Sequence, residues 1–489
     1  MRTMLRTAVC VAMAAGAAWG QGAELPLQTS VSQYGITWTF DRPVPVGRFI
    51  TGDYYVVGPV TVTAVDPAPA GSGEDFRHGS MLNPPVTTAQ AYDGRMRDFK
   101  SDQGARFPLK LAPGDSLLSA VSLDKTQQNQ VLPNPTGGGT ESSPLKTVAV
   151  LTCLDEPAWD DAFRPGYCDR TKKKLHRAKD VRWDRLRSVK PVAAPLPSWA
   201  RRYPANPMTL VDGVPSLAWV ERMFERPWVD HVYGWTSREM HPSENMPGYG
   251  REVGRAVSYA ALLLNCDYPL QQKRTLALRL IQVGIDNWSV ATQGVRDREG
   301  GWPAAGGFGN GRKLPIVFAA IMLDDPEMKT IRTHAGGASF GEDEHVEFGP
   351  SWTGATVRFT GQYPLIGHIQ KDRGPYEHLT PDQWPGPRKT MSEGYRRNTT
   401  SICWVGQALA MRLMDAQAVW DHDAWFVYVD RWMHEDDTQA VAAIRAAHGG
   451  DAGIRQGSTE FDPWIDAMWA RYRPTLNPPP DGWKPTAGQ

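Results

Sequence analysis

Apolar and polar residues alternate along the first third of the chain. Residues 36–40, 60–65 and 147–153 show the alternation most clearly. A period of two places successive side chains on opposite faces of a strand, so these runs predict half-buried strands. Pro, Gly and Asp interrupt the runs at short intervals, as at residues 66–69, which is typical of turns. We therefore predict an antiparallel β-sandwich over residues 30–153.

From about Leu217 the apolar residues recur at steps of three and four, which is the spacing of helices. The segments with this spacing are 252–265, 269–290, 314–323, 399–414 and 417–433. Gly-rich loops separate these segments, and no strand pattern lies between one segment and the next. We therefore predict an α/α toroid, or incomplete α/α barrel, over residues 216–473, although no strict sequence repeat supports the pairing of helices. The predicted fold class is α+β with two domains.

Three further segments differ in composition from these two domains. Arg2 and Arg6 precede a short apolar run and a group of small residues, so residues 1–20 are expected to be an export signal. The protein is accordingly expected to be secreted or periplasmic. Residues 154–215 form a basic, Pro-rich connector, and residues 474–489 are expected to be disordered.

The charge of the chain bears on its partners. The 489 residues include 53 basic and 53 acidic side chains, and this balance argues against capture of nucleic acid by bulk charge. Between Arg170 and Lys190, however, ten Lys or Arg stand against Asp180 and Asp184. This run is either a solvated basic face or a surface that attracts a polyanionic chain. No later run reaches the roughly 20 apolar residues of a membrane span, so membrane insertion is not expected.

Neither cysteine nor acidic residues indicate a bound metal. Cys153, Cys168, Cys266 and Cys403 follow the predicted signal, and only Cys153 and Cys168 are close enough in sequence for a local bridge; unpaired thiols are the alternative. Residues 342–345, Glu-Asp-Glu-His, lack the ligand order of a calcium loop and are interpreted as a solvated turn. We predict no metal and no other cofactor.

Three Gly-framed clusters carry side chains suited to catalysis, and each leads into a predicted helix. They lie at residues 241–251, 306–313 and 393–398. Loops at helix ends commonly hold functional groups on a rigid scaffold. The candidate residues in these clusters are His241, Asn245, Tyr249, Arg251, Asn310, Arg312, Lys313, Tyr395, Arg396, Arg397 and Asn398. Their combination suggests binding of an anionic sugar.

Each cluster suggests a role and also admits a structural explanation. Arg312 and Lys313 open a predicted helix, where cations are unfavourable unless an anionic ligand or a distant carboxylate compensates them. Two guanidinium groups beside Tyr395 would favour its phenolate, or Tyr395 simply packs. His241 is suited to proton transfer near neutral pH, or it holds its own loop. Tyr363 forms a fourth candidate without a Gly-rich frame.

Glycoside hydrolysis is a competing mechanism, because it needs two carboxyl groups that flank the scissile bond. Four carboxylates in the helical half are available for it: Asp230, Glu244, Asp286 and Glu393. The sequence does not indicate whether any two of them converge. Hydrolysis is therefore retained as the alternative to elimination.

The order of several motifs resembles that of secreted bacterial polysaccharide lyases of the alginate and glucuronan lyase type, whose catalytic domain is an α/α toroid. The matching motifs are residues 226–231, Trp235, His241-Pro, 245–251, Gly301-Trp-Pro, 311–313 and Tyr395-Arg, with a looser match at 52–58 and 79–84. The resemblance covers roughly residues 217–432. It implies an enzyme that acts on an anionic polysaccharide.

The chemistry implied by this resemblance is β-elimination on a uronic acid. The sugar carboxylate must be neutralised before its neighbouring proton can leave, and Asn245, Arg251 or Arg312 is expected to do so. His241 or Tyr395 is expected to abstract the proton. A tyrosine, Tyr395 or Tyr249, would then protonate the departing oxygen.

Phe308 departs from the family pattern, because relatives of this kind often carry histidine at this position. If that histidine acts as the base, this chain must use His241 or a tyrosine instead. The other implication of Phe308 is a decayed site, in which the protein binds carbohydrate without cleaving it.

Overall fold

The computed structural model describes residues 24–127, 132, 143–168, 174–201, 208–293, 301–331, 339–361, 377–384, 390–449 and 462–476. Tyr363, the predicted export signal and most of the predicted disordered tail lie outside the described residues. The described chain is a mixed α/β structure, with a curled N-terminal sheet followed by a helical region.

Eight strands form the N-terminal sheet. They are β1 (Leu27–Gln33), β2 (Ile36–Arg48), β3 (Tyr54–Val57), β4 (Val60–Asp66), β5 (Ser80–Leu82), β6 (Leu109–Leu111), β7 (Ser116–Gln127) and β8 (Ser143–Leu154). Their order is β5-β7-β8-β3-β2-β4-β6, with β1 also paired to β2. The first half of β2 pairs with β4 and the second half with β3, on either side of Pro43 and Pro45. Because proline has no N–H to donate, it suits a point where a strand changes partner.

The three alternating runs lie in β2, β4 and β8, so the strand predictions are confirmed. The predicted antiparallel sandwich is not confirmed, because these strands belong to one continuous sheet and β3 pairs with β8 in parallel. Alternation assigns side chains to faces of a strand, but it carries no information on which strand lies alongside or in which direction.

The two faces of the sheet pack into different cores. Leu117 and Leu151 lie in a core inside the curled sheet, together with Trp38. Their neighbours Leu118 and Val150 point to the other face and lie in the same core as the helices. The sheet and the helical region therefore share buried apolar surface, which is the main favourable term in their association.

The described part of the helical region contains twelve α-helical segments. They are α1 (Ser198–Arg201), α2 (Leu217–Met223), α3 (Gly250–Leu264), α4 (Leu270–Ala291), α5 (Lys313–Met322), α6 (Gly341–Glu344), α7 (Met391–Tyr395), α8 (Val405–Leu413), α9 (Gln417–Trp420), α10 (Asp423–His434), α11 (Thr438–His448) and α12 (Pro463–Tyr472). Short strands pair between them: β9 (Leu210–Val211) with β10 (Val214–Pro215), β11 (Gly301–Trp302) with β12 (Ser339–Phe340), and β13 (Val346–Phe348) with β14 (Val357–Phe359).

Helices α3, α4 and α5 agree with the predicted segments within two residues. The predicted helix 399–414 is wrong in its first part, where a π-helical turn (Arg396–Thr400) and a 3-10 turn (Ser401–Cys403) precede α8. The predicted helix 417–433 is broken between α9 and α10. Asp421 adopts a left-handed backbone there, with φ of 56°, which aspartate tolerates better than most residues.

Helix α3 is buried on all its faces and packs against α2, α4 and α8. Its first residue therefore lies deep in the helical region. Among the described helices none is both long enough and apolar enough to cross a membrane.

The basic connector is tied down by ion pairs. Lys174 pairs with Asp325 at 2.6 Å, and Arg187 pairs with Asp415. Arg182 contacts one carboxylate in the connector and one beyond α5. The described part of the connector is thus partly neutralised by the helical region, which favours a solvated, ion-paired face over a surface for polyanions.

The local bridge considered for Cys153 and Cys168 is not formed. These two cysteines, and Cys266 and Cys403, are all free and buried. A chain of this length can bury a core large enough to stabilise its fold without a disulfide. Burial raises the pKa of Cys153 and Cys266 to about 12, which makes both poor nucleophiles.

Candidate functional site

The three Gly-framed clusters meet at the beginning of α3 and α5. Residues 304–312, which we call the glycine loop, pass between the other two clusters. Gly250 lies so close to the loop that an added Cβ would be 2.1 Å from the carbonyl oxygens of Gly307 and Phe308. On the other side, a Cβ at Gly306 would lie 2.3 Å from Cδ1 of Tyr395. Glycine is therefore required for the contact on both sides of the loop.

Arg312 links the glycine loop to the first cluster. Its Nε and Nη2 donate to Asp230 over 3.1 to 3.3 Å. Its Nη1 donates to the carbonyl oxygens of Asn310 and Phe308 at 3.0 and 3.4 Å, and its Nη2 lies 3.4 Å from Nε2 of His241. Arg312 is buried and each of its three guanidinium nitrogens has a partner. It therefore organises the site and does not present a free cation.

The contact with Arg312 decides the tautomer of His241. A guanidinium only donates, so Nε2 of His241 must accept and Nδ1 must carry the hydrogen. Burial, followed by the charge of Arg312, lowers the pKa of His241 to about 3, although the backbone of Pro247 and Gly248 opposes this shift. The ring is therefore neutral at neutral pH. Among the described residues no group with acceptable geometry accepts from Nδ1.

Asn245 and Arg251 are buried in the first cluster. Nδ2 of Asn245 donates to the carbonyl oxygen of Arg226 at 3.2 Å, while its Oδ1 has no partner among the described residues. Arg251 pairs with Glu252 at 2.7 Å, and its Nη1 donates to the carbonyl oxygen of Asn398 at 3.0 Å. Arg251 thus connects the first cluster to the backbone of the third.

Asn310 binds the segment that directly follows the third cluster. Its Nδ2 lies 3.4 Å from the carbonyl oxygen of Thr399 and 3.1 Å from Sγ of Cys403. Its Oδ1 accepts from Nε1 of Trp404 at 3.1 Å. Asn310 is completely buried, so it positions backbone and does not reach a substrate.

Lys313, at the start of α5, is completely buried as well. Its Nζ donates to Asp343 and lies 4.8 Å from the centre of the Trp420 ring. A carboxylate and an aromatic face therefore compensate the cation at this helix N-terminus. The structure favours the ion-pair explanation for Lys313 and, through Asp230, for Arg312.

Two tyrosine rings pack against the glycine loop, one of them on Phe308 within the loop. The ring of Tyr249 lies 6.4 Å from that of Phe308, and the ring of Tyr395 covers Gly306. Phe308 and Tyr395 are half-buried, and Tyr249 is 8% exposed. No described residue forms a hydrogen bond with the hydroxyl of Tyr395. Of the predicted catalytic residues with a described position, Tyr395 is the most available to a substrate.

Arg396 and Arg397 belong to a separate buried ion-pair network. Nη1 of Arg396 lies 3.2 Å from Glu393 and 3.3 Å from Glu377. Arg397 donates to Glu393 at 2.6 Å and to Asp437. Neither guanidinium is the free cation next to Tyr395 that the sequence suggested. The next residue, Asn398, is exposed, and its Nδ2 donates to the carbonyl oxygen of Gly394 at 3.0 Å.

This network is too tightly packed to hold a sugar. Burial alone would raise the pKa of Glu377. The charges of Arg396 and Arg431 outweigh burial and lower this pKa to about 2. The cavity among these side chains measures about 10 Å³, which is room for about one water molecule. The network therefore anchors the π-helical turn that follows Tyr395.

The carboxylates considered for hydrolysis are all bound to arginine. Burial raises the pKa of Asp286 to about 6, although Arg164 pairs with it at 2.6 Å. The other pairs are Asp230 with Arg312, Glu244 with Arg226, and Glu393 with Arg396 and Arg397. Because each of these four carboxylates is bound to an arginine, no two of them are free to flank a glycosidic bond.

Residues 342–345 form a contact that sequence reasoning missed. The prediction of a solvated turn is wrong, because Glu342 is completely buried and accepts from the backbone N–H of Gly311 at 2.7 Å. Burial raises the pKa of Glu342 to about 7. The sequence did hold one signal of this contact: Lys313 at a helix N-terminus indicates either an anionic ligand or a distant carboxylate as its partner. It did not identify Asp343 as that partner.

No family model, curated protein or solved structure matches this chain.

Proposed function

We propose that the protein is a polysaccharide lyase that cleaves a uronate-containing polysaccharide, alginate or glucuronan, by β-elimination. The meeting of the three clusters around the glycine loop carries this proposal. It brings the half-buried Tyr395, whose hydroxyl has no hydrogen-bond partner among the described residues, to the same loop as Tyr249 and the His241–Arg312 pair. The order of motifs that resembles such lyases adds support.

In the proposed reaction Tyr395 acts as the base. Its hydroxyl first loses a proton to solvent, the oxygen then takes the C5 proton, the electrons of the C–H bond form the C4–C5 double bond, and the C4–O4 bond breaks. The departing oxygen receives a proton from Tyr395 or Tyr249. His241 is not the base in this scheme, because its one lone pair on nitrogen faces Arg312.

The uronate carboxylate must be stabilised as the proton leaves. The N–H on Nδ1 of His241 is buried next to the backbone of Pro247 and Gly248, and we propose that it donates to that carboxylate once the surrounding loop moves to admit the sugar. Arg312 would act indirectly, by fixing the tautomer of His241. This assignment replaces the direct carboxylate contact expected of Arg312.

The proposal extends to the fold and the location of the protein. The succession of helices from α2 to α12 is consistent with an incomplete α/α toroid that carries the site on loops at one end. A polymeric substrate would be met outside the cytoplasm, so we propose a secreted or periplasmic protein.

A carbohydrate-binding protein without turnover is the second candidate. Two observations favour it. Phe308 stands where the resemblance to such lyases implies histidine, and Arg251, Arg312 and Lys313 are all engaged by protein carboxylates. Hydrolysis is less well supported, because the carboxylates it would need are bound to arginines.

The experiment that separates these functions incubates the purified full-length protein with alginate, glucuronan and pectate. Ultraviolet absorbance from an unsaturated product would support elimination. New reducing ends without that absorbance would support hydrolysis, and binding without new ends would support the second candidate. An absence of both binding and turnover on all three polymers would contradict the proposal.

A further inference from the structure

The acidic clamp, which we define as residues 342–345, contacts the glycine loop through three of its residues and Lys313, directly after the loop, through the fourth. The clamp is the short helix α6 followed by His345. In sequence it lies about 30 residues beyond the loop, and the short parallel pair of β11 with β12 brings the two together.

Two carboxylates of the clamp accept from backbone N–H groups of the loop. Glu344 accepts from Ala304 at 2.7 Å, at the beginning of the loop. Glu342 accepts from Gly311 at 2.7 Å, at the end of the loop. Hydrogen bonds between a carboxylate and a backbone N–H are stronger than those between neutral groups. Both ends of the loop are therefore fixed by side-chain carboxyl oxygens.

The other two residues of the clamp make different contacts. Asp343 binds Nζ of Lys313, directly after the loop. Nε2 of His345 lies 3.1 Å from the carbonyl oxygen of Gly306, and its Nδ1 lies 2.7 Å from that of Gly361. A neutral imidazole donates to one of these carbonyls at a time, so His345 holds the loop less firmly than the carboxylates do.

We propose that the acidic clamp is a positioning element, which holds the glycine loop in the one backbone arrangement that supports the ring of Tyr395. The ring lies directly on Gly306, in the middle of the clamped loop. A shift of the loop would therefore move the phenol oxygen. The effect on turnover depends on the proposed function, whereas the effect on the loop backbone does not.

The test compares amide hydrogen exchange of the full-length protein with that of Glu344→Ala and Glu344→Gln. Alanine removes the acceptor for the N–H of Ala304, and we expect exchange in the peptide that contains the loop to rise by about tenfold. Glutamine retains an acceptor oxygen and should restore most of the protection. Glu347→Gln is the matched control, because Glu347 is exposed and pairs with Arg358, away from the loop.

Unchanged loop exchange in Glu344→Ala, equal to that in Glu347→Gln, would overturn the proposal. If Glu344→Ala does not fold, Asp343→Asn tests the same clamp through Lys313. In an active wild-type protein, Glu344→Ala should lower kcat while KM stays within about twofold, since the binding groups remain. If the wild type has no turnover, the proposed function fails, but the exchange result still decides on the clamp.

Discussion

At the scale of single residues, Asp230 determines what His241 can do. Asp230 holds Arg312, and Arg312 occupies the lone pair of His241. Histidine in this place is consequently a neutral donor, although the residue type alone suggests a base. The tyrosines are left as the groups able to move a proton.

The first prediction concerns Tyr395. Tyr395→Phe removes one oxygen and retains the ring over Gly306, so we expect turnover to fall by at least about 100-fold while polymer affinity is nearly unchanged. Initial rates of unsaturated product and binding to the same polymer measure the two effects. Tyr472→Phe, which removes a hydroxyl bound to the carbonyl oxygen of Lys190, is the control. Wild-type rates in Tyr395→Phe would exclude Tyr395 from the reaction.

The second prediction concerns Arg312. Arg312→Ala leaves the Asp230 carboxylate buried without its partner, so we expect the free energy of unfolding to fall by about 3–5 kcal/mol. Denaturant unfolding measures this loss. Arg182→Ala is the control, because Arg182 is 46% exposed and its ion pairs contribute little. Equal stability of the two variants would show that Arg312 does not organise the site.

At the scale of elements, the glycine loop works through its backbone. Its N–H groups bind the acidic clamp, its carbonyl groups bind Arg312, and its glycines allow rings and helix α3 to approach. The side chains of Asn310 and Arg312 add further contacts from the loop to the surrounding residues.

The third prediction separates crowding from backbone strain. Gly306 and Gly354 both have positive φ, of 62° and 90°, so alanine is strained at either position. Only at Gly306 would the new Cβ meet another group, the Tyr395 ring, because nothing lies within 4 Å at Gly354. We expect Gly306→Ala to lose about 1–3 kcal/mol more stability than Gly354→Ala, together with turnover. Calorimetry of both variants checks this, and equal losses would argue against contact between loop and ring.

At the scale of the whole molecule, buried ionisable groups make stability depend on pH. Burial lowers the pKa of His231 to about 3 and that of His345 to about 4. Both rings bind protons more readily after unfolding, so they reduce stability as pH falls below about 6.5. Asp466 acts at the other end of the range: burial, with a smaller contribution from Asp462, raises its pKa to about 8.

The fourth prediction follows from Asp466, whose two carboxylate oxygens have no hydrogen-bond partner among the described residues. Because its pKa is raised from 3.8 to about 8, the folded state binds this proton more tightly, and stability falls as pH rises between these values. Asp466→Asn should therefore gain up to a few kcal/mol over wild type near pH 9, and about none near pH 4. Urea unfolding at both pH values measures the difference. Asp102→Asn, a substitution at an exposed position, is the control. It should differ from the wild type by the same amount at both pH values.

The sequence by itself determined the elements that depend on local periodicity. The strands at residues 36–40, 60–65 and 147–153 and the helices α3, α4 and α5 follow from the spacing of apolar side chains, since that spacing is a local property of the chain. The sequence also located the three clusters, because Gly-rich loops next to helices are visible as a pattern. Their meeting at one place remained a hypothesis until their distances were known.

Only the tertiary structure decided which groups are partners. The parallel pairing of β3 with β8, the binding of Lys313 by Asp343 and the burial of Glu342 all join segments that are far apart along the chain. The same holds for the tautomer of His241, which depends on a guanidinium 71 positions away. Electrostatic and hydrogen-bond energies depend on distance in space and on exclusion of water, and neither quantity can be read from the spacing of residues in a sequence.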